Sequence, residues 1–112
     1  MSILKKLFGF KTTQSNVIKV LNPNDFRTQI TSKKVQLVDV RTPNEFQSGH
    51  IKGAKNIDAF SGTFNKKCNT LNKEEPIYIY CRSGARSKQA SKRLEALGFK
   101  EVYDLKGGIS NF

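Results

Sequence analysis

The chain has 112 residues, 37% hydrophobic and 26% charged, which points to one soluble globular domain and excludes a disordered chain. No apolar run is long enough to cross a bilayer. Twenty lysines and arginines against nine acids give a net charge of +11, a field that attracts anions in general. The lysines are spread along the chain with no interleaved aromatics on a basic stripe, so no specific nucleic-acid partner is expected.

Residues 1–15 stand apart from the rest. Ile3, Leu4, Leu7 and Phe8 share one helical face, Lys5 and Lys6 sit beside them, and residues 11–16 are polar and linker-like. The lysines interrupt the apolar stretch, and no continuous apolar segment follows. The start therefore does not read as a signal peptide, and a cytoplasmic location is expected. This amphipathic, flexible segment reads as a frayed or docked terminus, with membrane-surface contact through residues 1–10 as the less favoured alternative. In a reducing compartment, Cys68 and Cys81 are expected as free thiols.

A second unit, residues 16–112, carries the periodic pattern. Val17–Leu21 alternates as a strand. Asn22-Pro23 reads as an N-cap followed by proline at the first helical position, opening a helix through Phe26 and Ile30. Val35–Val40 is a strand buried on both faces. Thr42-Pro-Asn-Glu45 is a capping box, and its helix is expected to stop near Gly49. Residues 54–57 form a short strand, and the lysine-rich connection 60–75 holds a helix around Phe64. Ile77–Tyr80 is the clearest strand. A helix is expected from about Arg86 or Ser87, with Ala90, Leu94 and Leu97 at helical spacing and Gly98 as its C′ residue. Val102–Leu105 is the last strand. Strands alternating with helices imply an α/β domain with a mainly parallel sheet.

The chemistry concentrates where the clearest strand ends, at Cys81-Arg-Ser-Gly-Ala-Arg86 followed by Ser87. Carboxyl ends of strands are where open α/β sheets bind ligands. The small residues Ser83, Gly84 and Ala85 let successive N–H groups curl toward one point as an anion nest, and the helix start adds partial positive charge. Arg82 and Arg86 add full charges. All of these favour a thiolate at Cys81.

These features resemble a single-domain rhodanese. Four motifs match in order: Leu37-Val-Asp-Val-Arg41 with Glu45-Phe46; Gly49-His-Ile-Lys-Gly-Ala-Lys-Asn-Ile57; the Cys81–Arg86 loop; and Val102-Tyr-Asp-Leu-Lys-Gly-Gly108. They lie within residues 17–112. The resemblance implies a rhodanese-like fold, a five-stranded mainly parallel sheet flanked by helices. It also implies a sulfurtransferase in which Cys81 is the nucleophile, accepts sulfane sulfur from thiosulfate or a related small anionic donor, and passes it from a persulfide to a thiol or protein acceptor. Arg82, Ser83, Gly84, Ala85 and Arg86 would bind the donor. Asp39, Arg41, Glu45 and Ser87 would support them, the first three as a charge network beside the loop. Related phosphatases carry one more residue between cysteine and arginine, and here the next position is Ser87, which disfavours a phosphatase or arsenate reductase. A persulfide-relay or binding module with little activity on small donors is the stronger alternative. The chain has Phe112 where many relatives carry tryptophan.

His50, the only histidine, is expected to be structural, because a preformed thiolate needs no base. Cys68 lacks a helix start or arginine pair of its own and reads as a bystander. With no Cys-x-x-Cys, no metal-ligand cluster and no phosphate-binding glycine fingerprint, neither metal nor cofactor is expected.

Overall fold

The structure, a computed structural model, describes residues 15–112. The expectations for residues 1–14 lie outside that range. Five strands form one sheet: β1 (Ile18–Leu21), β2 (Gln36–Asp39), β3 (Lys55–Asn56), β4 (Ile77–Tyr80) and β5 (Val102–Leu105). Their order is β1-β5-β4-β2-β3 and every pairing is parallel. The helices α1 (Pro23–Ser32), α2 (Pro43–Gln47), α3 (Phe64–Cys68) and α4 (Ala85–Ala96) make the connections, and a 3-10 turn, Ile109–Asn111, follows β5.

β4 is central, flanked by β2 and β5, which explains its composition. All four residues of Ile77–Tyr80 are buried. Ile77 and Ile79 enter a core with Val38, Val40, Phe64, Ala90, Leu94 and Val102. Tyr78 and Tyr80 face the opposite core with Phe26, Leu37 and Leu105. The period-two alternation of a strand thus feeds two helix layers, so the residues read as one apolar run.

The capping signals form as their chemistry dictates. Asn22 Oδ1 accepts the Asp25 N–H at 2.8 Å ahead of Pro23. Thr42 Oγ1 accepts the Glu45 N–H at 3.3 Å while Glu45 Oε1 accepts the Thr42 N–H at 3.1 Å.

Two local expectations are corrected. The strand expected over residues 54–57 pairs only at Lys55–Asn56. The long helix starts at Ala85 rather than Arg86 or Ser87, with Gly84 as its N-cap at φ 110°. Glycine alone takes that left-handed turn cheaply, so the helix can begin sooner after the strand.

The chain end forms the floor of the site. The Ile109 N–H donates to the Cys81 carbonyl at 2.9 Å, and the Ser110 N–H donates to the Arg82 carbonyl at 3.1 Å. Gly108, at φ 67°, lies so close that a Cβ built there would overlap the Arg82 carbonyl. Gly108→Ala is therefore expected to destabilise the fold by about 2 kcal/mol or more and to displace the Cys81 loop. Thermal unfolding and Cys81 alkylation rates would register both effects.

Candidate active site

β4 delivers Cys81 to the carboxyl edge of the sheet, where its side chain is fully buried beneath the turn. The left-handed Gly84 aims its N–H back at the sulfur, 3.0 Å from Sγ. Ser87, in the first turn of α4, brings its hydroxyl oxygen to 3.5 Å from Sγ. Burial pushes the thiol up. The Ser87 hydroxyl and the N–H groups of Ser87, Gly84 and Ser83 pull it down and prevail, so the Cys81 pKa lies below its ordinary value. Backbone donors converging on one point in this way have the form of an anion nest.

The structure places the two arginines of the loop differently. Arg86 does not point freely into the turn. Its guanidinium forks onto Glu45, Nη1 to Oε1 at 2.6 Å and Nη2 to Oε2 at 2.9 Å. The hydrogen bonds from Arg86 are the main reason the Glu45 carboxyl falls to about 2. Glu45 thus holds the loop arginine while also closing the capping box of α2. Arg82 is exposed and makes no salt bridge among the described residues. It lines a cleft of about 310 Å³ with Arg41, Glu45, Ser48, Ile109 and Ser110. Ser83 and Ala85 are exposed at the rim.

The single charge network expected from Asp39, Arg41 and Glu45 is two separate pairs. Asp39 is buried, and its carboxylate takes Arg41 Nη2 at 2.7 Å and the Arg41 backbone N–H at 2.8 Å. Arg41 Nη2 also reaches the Gly49 carbonyl at 2.6 Å. This pair ties the end of β2 to the following turn, whereas Glu45 serves Arg86. Both ion pairs involve an arginine, whose planar fork suits a carboxylate.

His50 stacks on Phe46 with ring centroids 3.6 Å apart, and its Nδ1 lies 2.8 Å from the Phe46 carbonyl. It shapes the turn. Cys68 is buried at the end of α3, and burial pushes its thiol up to about 11, which disfavours the thiolate at neutral pH.

Two residues escape a reading of the sequence. Phe60 is 71% exposed, 5.5 Å from the Arg86 guanidinium, at the rim of the loop. An aromatic in a lysine-rich connection carries no local signal of that position. The other is Asp104, the third residue of β5, only 4% exposed and with no hydrogen-bond partner for Oδ1 among the described residues. An acid inside an otherwise apolar strand was the available signal. Burial raises its carboxyl to about 6, with the neighbouring Ser87 hydroxyl pulling the other way. Because its folded-state pKa lies above the unfolded value, this carboxyl's contribution to stability is fully present below about pH 4 and is lost as pH rises through about 6. Asp104→Asn is expected to remove that pH dependence and to stabilise the protein at neutral pH by up to about 3 kcal/mol, as read from denaturant unfolding across this range.

The chain resembles known proteins in sequence and in fold. The sequence profile of the rhodanese-like domain matches residues 22–112. Thiosulfate sulfurtransferase GlpE of Shewanella oneidensis is 34% identical over 92 residues, 82% of this chain and 89% of that protein. The tRNA uridine(34) hydroxylase of Pelagibacter ubique is 39% identical over 93 residues, 82% of this chain but 31% of that protein, so the chain spans about a third of its length. The crystal structure of a rhodanese-like domain protein from Staphylococcus aureus superposes with a TM-score of 0.72 at 36% identity, covering 81% of this chain and 87% of that one. No helix among the described residues is long and apolar enough to cross a membrane.

Proposed function

The chain belongs to the rhodanese-like domain family, and on that premise we propose that it is a sulfurtransferase whose sulfur carrier is Cys81. The observation that carries this reading is the Gly84 N–H set 3.0 Å from Sγ at the head of α4, on a turn that lowers the thiol's pKa. A thiolate held this way is already a nucleophile, so no base is needed to activate it.

The reaction runs in two halves. The Cys81 thiolate attacks the outer sulfur of thiosulfate or a related donor. With thiosulfate the new S–S bond forms as the donor's own S–S bond breaks and sulfite leaves with the electron pair; a persulfide donor releases its thiolate, and mercaptopyruvate breaks its C–S bond and releases the pyruvate enolate. The persulfide anion stays in the same nest, stabilised by the N–H groups that held the thiolate. A thiophilic acceptor then takes the outer sulfur and returns Cys81 to the thiolate. Cyanide would serve in an assay and a thiol or a protein in the cell, with the cytoplasm as the reducing setting.

The arginines divide the work. Arg82, exposed on the cleft beside the loop, is the charge free to meet an anionic donor. Arg86, clamped by Glu45, holds the shape of the turn and lends a partly neutralised positive charge. Arg82→Ala should therefore raise KM for thiosulfate several-fold with little change in stability. Glu45→Gln should loosen Arg86 and reduce kcat for every donor. Steady-state kinetics with thiosulfate and with an uncharged persulfide donor would separate the two effects.

The decisive measurement is intact mass. After incubation with thiosulfate, glutathione persulfide or mercaptopyruvate in parallel, the protein should gain one sulfur atom that cyanide removes. Cys68→Ser should behave as wild type. Cys81→Ser should neither gain sulfur nor turn over, because a hydroxyl in the same nest yields almost no anion. Mapping the sulfur to Cys68, or an active Cys81→Ser protein, would overturn the reading. Uptake only from a protein persulfide would leave Cys81 as carrier and make the domain a relay.

A further inference from the structure

The layer between the sheet and α4 is apolar except for one strip. Ser87 and Ser91, one helical turn apart on α4, are both buried, and Asp104 of β5 lines the same cavity as Ser91. Strand alternation explains why it is there. Val102 packs with Ala90 and Leu94 on the α4 side, whereas Tyr103 and Leu105 face the opposite core, so Asp104 shares the face of Val102. Register sets it beside Ile79 of β4, two residues before Cys81.

The carboxyl lines a cavity of about 360 Å³ that also touches Gly84 and Ser91. Apolar residues Ile18 and Val20 of β1 form one wall. Lys88 and Lys92 of α4 and Lys106 after β5 are the charged groups that face it. β4 presents only Ile77 and Ile79 to this layer apart from Cys81. Among the described residues no lysine pairs with Asp104, and its Oδ1 has no hydrogen-bond partner. A buried carboxyl left so costs stability, and packing gives no reason to keep it.

The neighbouring hydroxyl supplies a reason. Ser87 Oγ donates its one proton to the Gly84 carbonyl at 3.2 Å and accepts from the Cys81 thiol at 3.5 Å, while strand alternation puts the Asp104 carboxyl on the face of the sheet that α4 covers. We propose that Asp104 is a positioning residue that sets, through the Ser87 hydroxyl, whether that single proton points at the Cys81 sulfur. Ionised, the carboxylate draws the proton toward itself, and its charge also opposes the sulfur anion. Neutral, it donates its own proton to Ser87 Oγ and frees the hydroxyl to donate to the sulfur. When the Cys81 thiol ionises against a carboxylate, the thiol proton passes to Ser87 Oγ and the hydroxyl proton passes to Asp104. Proton count and charge are unchanged, and linkage makes the effect reciprocal. The cavity between Lys88, Lys92 and Lys106 gives the carboxyl its route for proton exchange with solvent.

This coupling rests on the reading of Cys81 as the sulfur nucleophile, but its test does not use sulfur transfer. The rate of Cys81 alkylation by iodoacetamide, followed against pH with the modified residue mapped by mass, reports the thiolate directly. Asp104→Asn keeps the shape, removes the charge and keeps a donor for Ser87 Oγ. It should lower the Cys81 pKa by about one unit, about a tenfold gain in thiolate below the pKa, and give a single-inflection profile. Ser87→Ala should raise the pKa, and in that background Asp104→Asn should lose most of its effect. An equal shift in both backgrounds would mean bare charge repulsion and would overturn the proposal, as would no shift in either. If no donor loads sulfur onto Cys81 and the non-additive shift is still found, the functional reading fails and the coupling stands.

Discussion

The hydrogen bond from the Gly84 N–H to the Cys81 sulfur is the contact on which the rest of the site depends. It requires a backbone turn that an ordinary side chain would strain, at the point where a helix must start. That start lies one turn from a fully buried central strand. The sulfur therefore meets unpaired N–H groups in a place that water does not fill, where each is stronger than it would be in solvent. The same burial opposes a charge on the sulfur, and only the convergence of several donors overcomes it.

The turn is held from outside as well as from within. Below it, the 3-10 turn at the chain end donates two N–H groups to the carbonyls of Cys81 and Arg82, with Gly108 clearing the space for this approach. Beside it, Glu45 grips Arg86 with both carboxylate oxygens, and Glu45 is itself fixed as the third residue of a capped helix. A local capping motif thus positions an active-loop arginine more than forty residues away in sequence. The Gly84 N–H already points at the sulfur in a turn braced on both sides.

Two kinds of charge surround the sulfur, and they play different parts. The paired arginines, Arg41 with Asp39 and Arg86 with Glu45, shape the framework, while Arg82 remains on the surface. On the sheet face that α4 covers lies the Asp104 carboxyl, with no ion-pair partner among the described residues. A site built to favour an anion would not ordinarily keep a second one close by, unless the two share a proton donor. Ser87 stands where it can be shared.

Much of this was legible in the residues themselves. Asn22-Pro23 and Thr42-Pro-Asn-Glu45 start helices through backbone chemistry that acts within four residues, and Ile77–Tyr80 can only be a strand buried on both sides. Cys81, the small residues after it and the arginines are contiguous, so the nest could be read before any contact was known. What the tertiary structure alone decided were the pairings between distant segments. Glu45 could serve Arg41 or Arg86, and the packing of α2 against the loop chose Arg86. The early start of α4 turned on the left-handed conformation of Gly84, which sequence permits but does not require. Asp104 looked like one polar residue in a strand. Only the register of β5 against β4, with α4 packed on that face, put its carboxyl in the layer that α4 covers, because strand alternation assigns a face and the packing of the layers determines what lies there.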